Sequence, residues 1–227
     1  NGRNSYEWLA EIVPDIDGIR VLDLACGSGP LLKILYDSNK NLRLKGVDMC
    51  PEELALAKAR LPNGVVDLFE LKAQNLTSID DNSIDVVLCH WALTLMNPIT
   101  PVLNEVSRVL SLGGRFAALV NGPMSAAPRY SDVHNLIYEY VQAKLPKYGE
   151  IDLGDPRIRS TGSLKNILSE AFPDANVNIE TSVVTMKGPV AEVAETAAGF
   201  FYASFILPSE VHKTMLLKLS DLLTISK

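Results

Sequence analysis

The chain has 227 residues, 47% of them hydrophobic and 21% charged, with a formal net charge of −6 and a pI near 5.1. That hydrophobic share excludes a disordered chain, and the length suffices to bury a full core within the usual range of one domain. No apolar run, Ala197–Leu207 included, reaches the roughly 20 residues of a membrane span, and no lysine- or arginine-rich run offers the basic stripe a nucleic-acid backbone needs.

Ser5 is placed to cap a first helix carrying Trp8, Leu9 and Ile12 on one face, ended by Pro14 and the Asp15–Gly18 turn. The next run, Arg20–Ala25, holds a single acid, Asp23, and breaks into Gly27-Ser28-Gly29. Continuous apolar residues suit a buried parallel strand. The two glycines lack a Cβ and so permit a sharp turn and close approach of the backbone to a ligand. A helix over Pro30–Ser38 puts this loop between a strand end and a helix N-terminus, where open α/β sheets bind small ligands.

Leu42–Asp48 reads as strand two, Pro51–Leu61 as a helix with proline in its first turn, and Val65–Leu71 as strand three. Asp81-Asn82-Ser83 turns into strand four, Ile84–Cys89. Thr100 is expected to cap a helix with Pro101 first and Val102, Val106, Val109 and Leu110 on one face, stopped by Gly113-Gly114 ahead of strand five, Arg115–Val120. Residues 121–162 are punctuated by Gly122-Pro123, Pro128, Pro146, Gly149, Gly154 and Pro156 around a helical stretch near Val133–Leu145. Ser163–Phe172 reads as a helix and Asn176–Lys187, from its β-branched residues, as a sixth strand. After Pro189 only helical patterns follow. The alternation predicts the α/β class: a doubly wound, mostly parallel sheet with helices on both faces, in a single domain over 1–227.

The stretch Val21-Leu22-Asp23-Leu24-Ala25-Cys26-Gly27-Ser28-Gly29 resembles the first motif of the class I S-adenosylmethionine (SAM) dependent methyltransferases. Gly-x-Gly alone is shared with NAD-binding domains, but position 32 is Leu where a pyrophosphate loop has its third glycine. The resemblance continues through Gly46-Val47-Asp48-Met49, Ser83–Ala92 and Arg108–Arg115, and covers about residues 19–122. It implies a Rossmann-like methyltransferase fold, SAM as cofactor, and 121–162 as a lid insertion after strand five that closes, with the N-terminal helix, over an acceptor pocket.

The resemblance also implies site residues. Asp23, Ala25, Cys26, Gly27 and Gly29 fall around the methionine part of the cofactor. Asp48, ending strand two, is placed to accept hydrogen bonds from the ribose hydroxyls, with capping of the next helix as the alternative. Met49 falls against the adenine. Lys72 stands where the family has an adenine-binding acid, and lysine accepts no hydrogen bond; adenine recognition then passes to Ala73 and to Gln74 or Asn75, with Lys72 pointing to solvent as the plainer reading. Cys89 ends strand four. His90, just beyond it, is the candidate general base, against the plainer reading that it packs on the cofactor.

No Asn/Asp-Pro-Pro-aromatic run follows Cys89, which argues against methylation of nucleobase or glutamine nitrogens. The expected function is methyl transfer from SAM to a small molecule, with no nucleic-acid or membrane partner. The alternatives are a SAM-fold protein with lost or repurposed activity and, less favoured, an NAD-dependent oxidoreductase. Cys26, Cys50 and Cys89 have no paired spacing; they suggest a reducing cytoplasm and packing roles near the crevice rather than a metal site. Tyr130 and His134 read as surface or lid residues and His212 has no assigned role. Phe200–Leu207 reads as core, with pocket lining or a homodimer contact as alternatives.

Overall fold

The computed structural model describes residues 4–38, 41–122, 127–148, 154–201 and 203–224. The strands are β1 (Arg20–Leu24), β2 (Arg43–Asp48), β3 (Val66–Glu70), β4 (Ile84–His90) and β5 (Leu110–Leu119). The helices are α1 (Ser5–Ala10), α2 (Pro30–Asp37), α3 (Pro51–Arg60), α4 (Ile99–Val109), α5 (Tyr130–Gln142), α6 (Thr161–Ala171), α7 (Val190–Phe200), α8 (Ala203–Ile206) and α9 (Ser209–Thr224). They form two compact units, Asn1–Asn121 with Gly154–Ile179, and Gly122–Leu153 with Glu180–Lys227.

The first unit is built on one sheet in the order β3-β2-β1-β4-β5, every pairing parallel. Alternation along a strand sends successive side chains to opposite faces, so each apolar strand feeds two cores. Val21, Leu44, Val86 and Leu88 pack with Leu9, Leu31, Leu35 and Leu54 from the helices α1, α2 and α3. Leu22, Leu24, Val47 and Val87 pack with Val102, Leu103, Val106, Leu164 and Ile167 from α4 and α6. Full burial of each such side chain is worth about 1.5–3 kcal/mol. At the amino end of the sheet Asp85 accepts from the Arg20 Nε–H at 2.9 Å, from its terminal N–H at 2.6 Å and from the Ser111 hydroxyl at 2.8 Å.

Asn4, not Ser5, caps α1: its side chain accepts from the Glu7 N–H, and the Glu7 carboxylate accepts from the Asn4 N–H. Of the apolar face expected there only Leu9 is buried, while Trp8 and Ile12 are exposed. Pro98 caps α4, which places Thr100 and Pro101 inside its first turn. β5 starts at Leu110 and runs through Gly113-Gly114, with a register irregularity opposite Ile84 and Val86.

The expected sixth strand does not form. Asn176–Lys187 has no strand hydrogen-bond pattern, and Val183, Val184 and Met186 are 53%, 86% and 51% exposed. β-branched residues favour a pleated surface only when a neighbouring strand and a buried face are there to receive them.

The second unit is helical. Ile137 and Val141 of α5, Ala194 and Ala198 of α7, and Met215 and Leu219 of α9 form its core. Tyr138 stacks on His134 with ring centroids 3.9 Å apart, and the Tyr148 hydroxyl donates to the Phe201 carbonyl at 2.7 Å. The punctuating residues Pro123 and Gly149, and Tyr202 of the aromatic run, lie outside the described residues.

Candidate functional site

The strand order reverses between β1 and β4, and the loop leaving β1 enters α2 at that switch point. The loop is held by backbone and by one acid. The Cys26 N–H donates to the Val47 carbonyl at 2.9 Å, and the Gly27 N–H donates to Asp48 Oδ2 at 2.8 Å. Asp48 Oδ1 accepts from the Cys50 N–H at 2.9 Å, so one carboxylate ties the glycine turn to the start of α3. Gly27 and Gly29 have φ of 51° and 74°, the left-handed region that side chains disfavour. A Cβ on Gly29 would also stand 3.1 Å from the Ala57 Cβ, so this glycine serves the packing of α2 on α3.

Ala25 (φ 58°) just beyond β1 and Trp91 (φ 61°) just beyond β4 share that conformation, as Asn82 and Arg129 do elsewhere in the chain. Each costs roughly 1–2 kcal/mol, and such outliers gather at functional sites.

A cavity of about 170 Å³ opens here. Asp23, Ala25, Cys26, Gly27, Ser28, Pro30 and Leu31 line it from β1, the loop and α2; Tyr6 comes from α1, Glu53 from α3, and His90 from the end of β4. Asp23 is 1% exposed and its Oδ2 accepts no hydrogen bond from any described residue. Burial, and after it the charge of Asp48, pushes its carboxyl up to about 8. A buried acceptor without a donor costs about 1–3 kcal/mol, which a ligand N–H can recover. An ammonium group fits this position: it brings donors and a positive charge that restores the carboxylate.

His90 is sandwiched. Its Nε2 is 2.9 Å from the Ser5 hydroxyl, in hydrogen-bond contact, and the Tyr6 ring stacks on it with centroids 3.6 Å apart. Because Asn4 takes the cap, the Ser5 hydroxyl is available to the imidazole. Burial pushes His90 down to about 4, so the ring is neutral at pH 7 and a weaker base than free imidazole.

Of the residues named from sequence, Asp23, Ala25, Cys26, Gly27 and His90 come together around the cavity, and Asp48 holds its loop. Met49 is 64% exposed at the end of β2. Ala73 and Gln74 lie in the turn after β3, closed by the Asn75 N–H on the Lys72 carbonyl at 2.8 Å, and Lys72 is exposed. None of these lines the cavity. Of the three cysteines, Cys26 lines the cavity while Cys50 and Cys89 do not. Cys26 and Cys89 belong to the cores on opposite faces of the sheet, and burial holds both thiols protonated, Cys89 pushed up to about 12. Cys89, expected at the cofactor, is a wholly buried packing residue. Sequence reasoning missed Ser5, Tyr6 and Glu53 as parts of the site. A polar and an aromatic residue opening α1 give no signal of their own, and Glu53 reads as an ordinary acid in a helix's first turn.

An all-parallel sheet in this order, with an acid inside β1, a glycine turn after it and an acid ending β2, is a Rossmann-like methyltransferase fold. Residues 22–118 match the family model described as Methyltransferase domain. The chain is 29% identical over 187 residues to the mitochondrial 2-methoxy-6-polyprenyl-1,4-benzoquinol methylase of Schizosaccharomyces pombe, covering 75% of this chain and 58% of that protein. It is 33% identical over 122 residues to the demethylmenaquinone methyltransferase of Symbiobacterium thermophilum, covering 50% of this chain and 48% of that one. The chain thus spans about half the length of the curated relatives it matches. A solved protein of Anabaena variabilis, described as a methyltransferase of an antibiotic biosynthesis pathway, has a TM-score of 0.68 at 18% identity over 96% of this chain and 85% of its own. That likeness speaks for the fold alone.

Proposed function

We propose that this chain transfers a methyl group from SAM to a small-molecule acceptor. The observation that carries the reading is the orphaned Asp23 Oδ2 in the cavity wall beside the glycine turn. SAM supplies a methyl on a sulfonium: the bond from methyl to sulfur breaks, its electron pair stays on sulfur, and a bond to the acceptor forms. The chain's own residues then bind, orient and exclude water. Asp23 takes the ammonium group. Asp48 uses two of a carboxylate's roughly four lone-pair sites on Gly27 and Cys50 and keeps the others for ribose hydroxyls. Met49, Ala73 and Gln74, at the ends of β2 and β3, serve the adenine.

His90 is proposed as the base for a hydroxyl acceptor, receiving its proton at the neutral ring. The acceptor is proposed to be partly apolar, in keeping with the benzoquinol and demethylmenaquinone in the relatives' names. We assign acceptor selectivity to the segment 121–162, which the chain enters at the carboxyl end of β5. Among the described residues no helix is long and apolar enough to cross a membrane, and the three cysteines are free thiols, which supports a reducing compartment such as the cytoplasm. Phe205, 84% exposed, supports a contact between two copies, measurable by light scattering.

Titration calorimetry with SAM, S-adenosylhomocysteine and NADH tests the class. Low-micromolar binding of the first two is expected, and tighter binding of NADH overturns the reading. Turnover against a panel of phenolic and quinol acceptors separates an active enzyme from a SAM-fold protein that has lost its activity.

A further inference from the structure

Methyl transfer removes a positive charge from the donor. A sulfonium enters, a neutral thioether leaves, and the ammonium group is the same before and after. A site can therefore tell donor from product by charge, provided it holds an anion that the ammonium has not claimed.

The cavity holds two carboxylates. Asp23 is buried, and its orphaned oxygen requires an N–H donor, which an ammonium has and a sulfonium lacks. Glu53 differs in each respect. It lies in the first turn of α3, where the helix N-terminus favours a negative charge, and it is half-buried. It makes no hydrogen bond or ion pair with any described residue. Its Oε2 is 3.6 Å from the point where a Cβ on Gly27 would stand, so the carboxylate lies against the glycine turn. Its charge reaches two other parts of the wall, adding to the larger effects of burial and Asp23 on the Tyr6 phenol and the Cys26 thiol. An anion without a partner, facing ligand space and needing no donor, acts on a sulfonium through charge alone.

We propose that Glu53 is a specificity-determining residue of the cofactor site, holding the cationic methyl donor in preference to the neutral thioether product. This rests on the reading of the cavity as the SAM site. It gives the protein a means of product release: the group that retains the donor loses its grip when the methyl leaves, while Asp23 and Asp48 hold both forms alike.

The experiment is titration calorimetry of SAM and S-adenosylhomocysteine into the full chain and into Glu53→Gln and Glu53→Asp, with folding checked by circular dichroism. Glu53→Gln is expected to weaken SAM by about five- to tenfold and S-adenosylhomocysteine by less than about twofold, so that the ratio of the two collapses. Glu53→Asp keeps the charge and is expected to hold the ratio within about twofold of the unchanged protein. Equal weakening of both ligands in Glu53→Gln, or no change in either, overturns the role of Glu53 and leaves the cofactor reading standing. A ratio in Glu53→Asp that falls as far as in Glu53→Gln places the effect in packing and also overturns it. Failure of both ligands to bind the unchanged chain overturns the cofactor reading itself, and this proposal with it.

Discussion

Tyr6 lies flat on His90, the ring centroids 3.6 Å apart and the planes 20° from parallel, and so covers one face of the imidazole. Burial is the cause that takes His90 from 6.5 down to about 4. Between those values the unfolded chain binds the proton and the folded chain does not, so stability rises with pH across that window and is lost as pH falls through it. Tyr6→Ala admits water to the ring and is expected to raise the His90 midpoint toward 6.5, read from its ring protons by NMR. A midpoint left near 4 in Tyr6→Ala removes Tyr6 as the cause.

Asp23 works in the opposite sense. Its carboxyl stands at about 8 in the folded chain against an ordinary 3.8, so between those values the folded state binds the extra proton. Stability is therefore greatest at the acid end of this window and falls as pH rises toward 8, by up to about 1.4 kcal/mol per pH unit. Urea unfolding of the chain and of Asp23→Asn at pH 5 and pH 8 measures it, and the variant is expected to lose this slope. The same carboxyl should release a proton when a cation binds, visible as a buffer-dependent binding heat.

Asp48→Ala removes both the tie to Gly27 and the proposed ribose acceptor. The expected loss of SAM affinity is about 1.5–3 kcal/mol, the range for hydrogen bonds to a charged group. Amide exchange at Gly27 should quicken as well, because its N–H loses the acceptor at 2.8 Å. Unchanged affinity in a folded variant would take Asp48 out of the site.

Lys72 is exposed in the turn after β3. Lys72→Ala is expected to leave SAM affinity within a few tenths of a kcal/mol, as substitutions of solvated surface residues do. A tenfold change by calorimetry would show that the lysine reaches the ligand.

Grafting the segment 121–162 from a relative of different acceptor preference is expected to redirect turnover while SAM affinity changes less than about tenfold, because the residues proposed for the cofactor lie outside this segment. Acceptor preference left intact by the graft would move selectivity to α1 and the Phe200–Leu207 stretch.

The parallel sheet was legible in the sequence because β1 and β4 are largely apolar runs buried on both faces, and such runs need no partner to be recognised. Asp23, Gly27 and Asp48 were legible for a related reason: an acid inside an apolar strand and a pair of close glycines are both expensive unless a site requires them. Asn176–Lys187 misled, because β-branched composition records what a strand tolerates and not whether an edge awaits it. Ser5 and Tyr6 stayed hidden because their partner, His90, is far along the chain, and only tertiary packing brings them together. Cys89 could have been placed from alternation. It shares the face of Val87, two residues back, and that face is core.

Ala25 and Trp91 end adjacent strands in a backbone conformation that glycine would adopt without penalty. Selection of variants for heat resistance alone would therefore favour glycine at both positions wherever the strain relieved outweighs the loss of the Ala25 methyl packed on a core and of the Trp91 ring beside His90. The same replacements would unlock the peptide of Ala25 in the cavity wall and the one that follows His90. A laboratory lineage pushed only toward thermostability is thus expected to lose ligand affinity before it loses its fold, and the two φ angles mark where that erosion would begin.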